Sequence, residues 1–256
     1  MTDAERLEQS QWDLFWIPAD AHVTERTELL LVRCDRPVGY LNVVLRGRSP
    51  ALVDEVAGVF GPGRGRWMVT DTAPRASLQD ALAARGWQPG ARHEVRTLPV
   101  DAVSAPPAFE VRTVRDMPTL LDCVRVADAG FGVTTSHTPG SLALDLRQCV
   151  AGARVRRVVA YDGDVPVACG GLTAFPSLGF GLLWAGCTVP EARGRGAYRT
   201  VLAARIAHAR ALGLRVVGLY AREDTSAPIV ARQGFRLGGE MHFWAPKPLT
   251  AGSPAA

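Results

Sequence analysis

Between residues 187 and 199 the chain reads Cys187-Thr188-Val189-Pro190-Glu191-Ala192-Arg193-Gly194-Arg195-Gly196-Ala197-Tyr198-Arg199. This arginine- and glycine-rich segment separates an apolar, strand-like stretch, Leu182–Val189, from an amphipathic helical pattern, Arg199–Leu212. The first amides of a helix have no partner within it, and the helix dipole favours negative charge at that end. Glycines let a phosphate approach the main chain closely, and arginines add bidentate contacts. A pyrophosphate is the natural ligand of such a junction.

The segment resembles the signature of the GCN5-related N-acetyltransferase superfamily: Arg or Gln, two residues, Gly, one residue, then Gly or Ala. Arg193 and Gly196 take the first two fixed positions, and Pro190-Glu191 lead in. Farther on, Ser226-Ala227-Pro228-Ile229-Val230-Ala231-Arg232-Gln233-Gly234-Phe235 is similar to the family's helix that ends in a Gly-Phe pair. The resemblance covers the C-terminal half, from about Phe109 to Trp244. It implies an acyl-coenzyme A donor, acetyl-CoA or another acyl-CoA, and transfer of the acyl group to the primary amine of a small molecule or peptide. It also implies that strand Leu182–Val189 splays from Arg215–Tyr220 to admit the pantetheine arm. Gly186, Cys187 and Thr188 would then face the pantetheine and thioester. Arg193, Gly194, Arg195, Gly196, Ala197, Tyr198 and Arg199 would wrap the pyrophosphate.

Three positions depart from the family pattern. Tyr198 stands where Gly or Ala is expected, Val230 where the family often has a tyrosine acid, and Leu182–Val189 carries no carboxylate. An amine must lose a proton as it is acylated, and some group must take it. The candidates are Glu223 and Asp224 after the second cleft strand, and His137 in the loop between two helices, with Tyr220 as a replacement acid. Each has a plainer structural reading, as a solvated loop group or a packed aromatic, and proximity alone can supply much of the acceleration. Cys187, beside the expected thioester, allows an acyl-cysteine route in place of the direct transfer that the resemblance implies. Two other functions stay open. The donor could be a carrier-protein pantetheine or an aminoacyl-tRNA, or the chain could be a non-catalytic CoA-binding or regulatory module.

The elements that must position these residues form an α/β pattern. The second half reads as β-α-α-β-β-β-α-β-α-β, with strands at Phe109–Val114, Val155–Tyr161, Val165–Ala174, Leu182–Val189, Arg215–Tyr220 and Met241–Trp244. Asp116 and Pro118 mark a helix start, and Gly213 and Gly234 mark helix ends. This predicts a mixed central sheet flanked by helices, the GNAT-like acyltransferase fold. The first half repeats the grammar in shorter form, and Ala84-Arg85-Gly86-Trp87 matches Arg232-Gln233-Gly234-Phe235. Two pseudo-repeated lobes follow: a degenerate one over 1–105, a catalytic one over 106–248 and a tail at 249–256, with Pro106-Pro107 in the linker. The equivalent junction of the first lobe, Arg46-Gly47-Arg48-Ser49-Pro50, lacks the phosphate pattern, so no donor is expected there. Gly61–Arg66 reads as a turn rather than a phosphate loop, and Trp12, Phe15 and Trp16 as the packing face of a leading helix.

Bulk properties exclude little. The chain has 256 residues and a formal net charge of +4, with Lys247 the sole lysine, which attracts an anionic ligand without singling out nucleic acid. Nucleic acid is not expected unless the donor is tRNA-linked, and a homodimer stays open. Cys34, Cys123, Cys149, Cys169 and Cys187 form no CxxC pair and suggest no metal. No apolar run reaches the roughly 20 residues of a membrane span, and no secretory signal is evident at the start. A cytoplasmic protein is expected.

Overall fold

The computed structural model describes residues 1–15, 17–35, 39–60, 64–72, 75–102, 108–135, 137–150 and 154–247. In chain order the elements begin with α1 (Asp3–Ser10), β1 (His22–Arg26), β2 (Leu29–Arg33), β3 (Val43–Gly47), α2 (Leu52–Ala57), β4 (Arg66–Thr70), α3 (Ala76–Ala84) and β5 (Trp87–Pro99). They continue with β6 (Glu110–Thr113), α4 (Met117–Phe131), α5 (Pro139–Val150), β7 (Val155–Asp162), β8 (Val165–Phe175) and β9 (Phe180–Thr188). The last are α6 (Ala197–Ala211), β10 (Val216–Arg222), α7 (Ser226–Ala231) and β11 (Arg236–Pro246).

Two compact units result, one made of Met1–Arg96 with Tyr220–Ala256 and the other of Thr97–Leu219. The described residues from Tyr220 onward group with the N-terminal half, whereas the sequence reading places its lobe boundary at residue 105. Strand pairing is the cause. β11 runs antiparallel to β4, with Met241 opposite Thr70 and Trp244 opposite Trp67. The expected linker lies largely outside the described residues, as do the tail, Trp16 and residues 61–63 of the Gly61–Arg66 turn.

In the first unit the strand order is β1-β2-β3-β4-β11-β5. β2 is buried on both faces because its alternate side chains serve two cores. Leu29 and Leu31 join Val44, Trp67, Leu82 and Trp87, while Leu30 and Val32 join Val43 and Leu45 beneath Trp12 and Ile17. Trp12 also lies under the Arg46 guanidinium, 4.9 Å from its ring centroid, but the leading helix stops at Ser10, short of the aromatic cluster. Gly86 (φ 75°) and Gly234 (φ 89°) are both left-handed and each precedes a buried aromatic, Trp87 or Phe235, as their sequence match implies.

In the second unit the order is β10-β9-β8-β7-β6. Only β10 and β9 are parallel; β9, β8, β7 and β6 form an antiparallel meander. β7 sends Val159 and Tyr161 toward the α4 core, where Leu120 and Val126 lie, and Val158 and Ala160 toward the α6 core with Val201. Helices therefore cover both faces. α4 starts where Asp116 accepts from the Thr119 amide at 2.8 Å and stops at Gly132 with φ 66°.

Candidate functional site

β9 is where the second unit's sheet loses its regularity. Its parallel ladder with β10 ends at Leu182 opposite Gly218, yet β9 runs on to Thr188. From Leu183 onward β9 has no ladder pairing with β10. On the other side, Leu183 pairs with Leu172 and Trp184 with Gly171, but the register then shifts and resumes at Cys187 opposite Cys169. Ala185 and Gly186 form the bulge. Ala185 takes φ 48°, a conformation that a residue with a Cβ adopts only at a cost. A bulge of this kind leaves backbone groups without ladder partners and re-aims them.

The chain leaves β9 through a single turn of 3-10 helix, Pro190–Ala192, and reaches α6 through two left-handed glycines, Gly194 (φ 77°) and Gly196 (φ 90°). Gly196 is the N-cap of α6, and no side chain caps the helix. The first-turn amides, those of Ala197 and Tyr198 among them, are thus free of the usual Ser, Thr or Asp acceptor and can receive an anion.

The arginines of this loop divide into two roles. Arg193 is a strut: its Nη2 donates to the Gly130 carbonyl at 3.1 Å and its Nε to the Thr188 carbonyl at 3.4 Å. Arg195 pairs with Asp162 at 2.7 Å and lies over the Phe109 ring, so it too is engaged. Arg199 is exposed and forms no ion pair among the described residues. A phosphate held here would meet the α6 amides and Arg199 first, with Arg193 and Arg195 shaping the loop around it. Tyr198 turns its ring inward. A Cβ on Gly186 would stand 3.0 Å from Tyr198 Cε2, so the ring rests against the bulge while its amide stays at the helix start.

The expected proton-transfer groups separate. His137 belongs to the second unit, half-buried in the loop between α4 and α5. Asp128, at the end of α4, accepts from Thr135 Oγ1 at 2.6 Å and from the Thr135 amide at 3.1 Å. Those bonds, with a smaller contribution from the charge of His137, hold the Asp128 carboxyl below the usual carboxylate range. The α4 end itself packs on β9, since a Cβ on Gly130 would come within 2.8 Å of Cys187 Sγ.

Tyr220 and Glu223 belong to the first unit. The Tyr220 hydroxyl is buried without a hydrogen-bond partner among the described residues, and burial, then Glu8 and Asp71, push its pKa upward. A phenol so shifted keeps its proton and is a weaker acid than ordinary tyrosine. Glu223 is exposed and accepts from Arg92 Nη1 at 2.7 Å, and Asp224 pairs with Arg222 at 2.7 Å, so both carboxylates already have cationic partners. Val230 is fully buried in α7 and contributes packing alone. Cys187 is buried with its Sγ 3.7 Å from that of Cys169. Bonds to Cys123 and Cys187, together with burial, keep the Cys169 thiol protonated.

Two groups escape sequence reasoning. Asp128 carries no motif. Arg205, on the buried stripe of α6, breaks an apolar pattern and could have been noticed for that. Among the described residues no cluster of three or more His, Cys, Asp or Glu could hold a metal, and no helix is long and apolar enough to cross a membrane.

With this geometry in place, the solved structures give a consistent picture. A GCN5-related N-acetyltransferase from Kribbella flavida superposes with a TM-score of 0.70 at 16% identity, covering 96% of this chain and 95% of its own. A conserved protein of unknown function from Staphylococcus epidermidis gives a TM-score of 0.62 at 14% identity, over 93% of this chain and 98% of its own. A tandem GNAT protein from the clavulanic acid biosynthesis pathway gives 0.58 at 14% identity, over 97% of this chain and 89% of its own. No protein-family model matches the chain, and no curated protein matches it in sequence. The fold is that of the GCN5-related N-acetyltransferases, in the tandem arrangement.

Proposed function

We propose that this protein is an acyl-CoA-dependent N-acyltransferase, using acetyl-CoA as donor and the primary amine of a small molecule or peptide as acceptor. The observation that carries the reading is the junction of β9 and α6. A bulged strand that has left its ladder with β10 leads to an uncapped helix start whose N-cap glycine has φ 90°. Pyrophosphate chemistry suits the helix start, and a linear amide-bearing arm suits an unpaired strand edge. The five cysteines are all free, which suits a reducing compartment such as the cytoplasm.

In this reading the second unit's residues bind and orient the donor. The amides of α6 and Arg199 hold the diphosphate, and the backbone at Gly186 and Thr188 faces the thioester carbonyl. The amine nitrogen attacks that carbonyl directly; a C–N bond forms, the C–S bond breaks, and the proton lost by the amine ends on the departing thiolate or on solvent. His137, in the loop that Thr135 ties back to Asp128 at the end of α4, is the proton acceptor in the second unit that best suits this step.

Calorimetric titration with acetyl-CoA tests the proposal. Saturable binding is expected for the wild type and its loss for Gly196→Glu, which adds both a negative charge and a disfavoured Cβ at the helix start. Absence of binding by the wild type, or equal binding by the variant, rejects it. A non-catalytic module is the second reading, favoured by the engaged carboxylates Glu223 and Asp224 and by buried Val230. Binding without release of free CoA thiol across a panel of amines would select it.

A further inference from the structure

Arg205 occupies the apolar stripe of α6 with Ala197, Val201 and Ala209, yet it is 1% exposed. No carboxylate pairs with it among the described residues; only carbonyls answer it. Nε donates to Val201 O at 3.3 Å, and Nη1 to Gly171 O at 3.3 Å and Trp184 O at 3.4 Å, while Nη2 is buried with no partner among the described residues. A buried charge without a counter-ion is costly, and an unmet donor adds to the cost. Something of value to the protein must offset that.

The surrounding residues are fitted to the guanidinium. A Cβ on Gly170 would lie 2.8 Å from its Cζ, and a Cβ on Gly186 would lie 2.9 Å from Nη2. Glycine therefore stands on both strands at the level of the bulge. The two strand carbonyls that Arg205 holds bracket the same irregularity: Trp184 immediately precedes Ala185 on β9, and Gly171 follows Gly170 on β8. Ala185, at φ 48°, would relax toward a regular ladder if nothing fixed its neighbours. The Tyr198 ring, 6.0 Å from Arg205 Cζ, closes the remaining side.

We propose that Arg205 is the positioning residue of the donor site: it locks the Ala185–Gly186 bulge in the shape that presents main-chain amides to the thioester, and sets a fixed positive charge behind them. This rests on the acyltransferase reading above. A preorganised cation behind a carbonyl that gains negative charge stabilises the transition state without rearranging. It also explains why a costly charge persists where Met or Leu would pack.

The experiment uses the full chain as Arg205→Met and Arg205→Lys. Replacing a buried ion by an apolar side chain of similar volume is often neutral or stabilising, so Arg205→Met should fold, as its thermal midpoint will show. Amide exchange at residues 185–188 should accelerate at least about tenfold in Arg205→Met while exchange in β7 is unchanged. Turnover should fall about 10- to 100-fold in kcat with donor KM within about threefold, and Arg205→Lys should recover part of it. Unaltered exchange at 185–188 overturns the proposal whether or not turnover is detected, and so does altered exchange with an undiminished kcat. A wild type inert toward acyl donors removes the acyltransferase reading instead, and amide exchange still decides whether Arg205 holds the bulge. Should Arg205→Met fail to fold, Arg205→Lys is judged by the same two measurements.

Discussion

Arg193 Nη2 donates to the carbonyl of Gly130 at 3.1 Å, so the loop ahead of α6 is fastened to the end of α4. Arg193 thus helps to hold the loop's shape. Arg193→Ala should cost about 1.5–3 kcal/mol of stability, the range for hydrogen bonds from a charged donor, and weaken acetyl-CoA binding as the loop loosens. Chemical denaturation and titration calorimetry check the two effects. A fully stable Arg193→Ala protein would show that the tie contributes nothing.

Arg199 should behave in the opposite way. Being exposed and without an ion pair among the described residues, it can be changed to Ala with little effect on the thermal midpoint. Donor affinity should fall by about 0.5–1.5 kcal/mol, and the loss should shrink as salt is raised. Titrations at two salt concentrations decide it.

Gly186→Ala introduces a methyl 2.9 Å from Arg205 Nη2 and 3.0 Å from Tyr198 Cε2. Overpacking of this kind should destabilise by about 1–3 kcal/mol. In an Arg205→Met background the methyl has a yielding neighbour, so the penalty should drop by at least about 0.5 kcal/mol, a coupling that a double-mutant cycle measures. Strict additivity would mean that the guanidinium does not occupy that space.

Tyr198→Gly restores the small residue of the family pattern and removes the ring resting on Gly186. If the ring narrows the donor's path, acetyl-CoA should bind more tightly by about threefold to tenfold, corresponding to roughly 0.7–1.4 kcal/mol. Weaker binding would instead make the ring part of the donor's seat.

His208, on α6, has a buried ring nitrogen without a partner among the described residues, and burial, then Arg156 and Arg115, lower its pKa below the ordinary 6.5. The folded state therefore binds fewer protons than the unfolded chain as pH falls past 6.5, and stability declines with acidification in that window. His208→Gln should flatten the fall in thermal midpoint between about pH 7 and pH 5. Parallel pH profiles for the two proteins would count against it.

The second unit was largely legible from sequence because its strands are long, apolar and separated by strong punctuation. Asp116 marks a helix start and Gly213 a helix end by local backbone chemistry. β1 was invisible for the opposite reason: His22–Arg26 is exposed throughout and has only its backbone pairing to β2 to make it a strand. The sequence pattern of β11 covers Met241–Trp244, the part that carries large apolar side chains, whereas the strand runs from Arg236 to Pro246. At the site, residue types and spacing gave the glycine-rich helix start. They could not give the direction of the Tyr198 ring, the employment of Arg193 and Arg195 as struts, or the placement of Tyr220 and Glu223 in the first unit. Those depend on contacts between residues far apart in sequence.

The pairing of β11 with β4 has a consequence for biosynthesis. The first unit is closed by β11, which follows the whole of the second unit in the chain, so it must wait, incomplete, until the second unit has emerged. Truncation just before Arg236 would accordingly damage the beginning of the protein, leaving β4 with an unsealed edge open to aggregation.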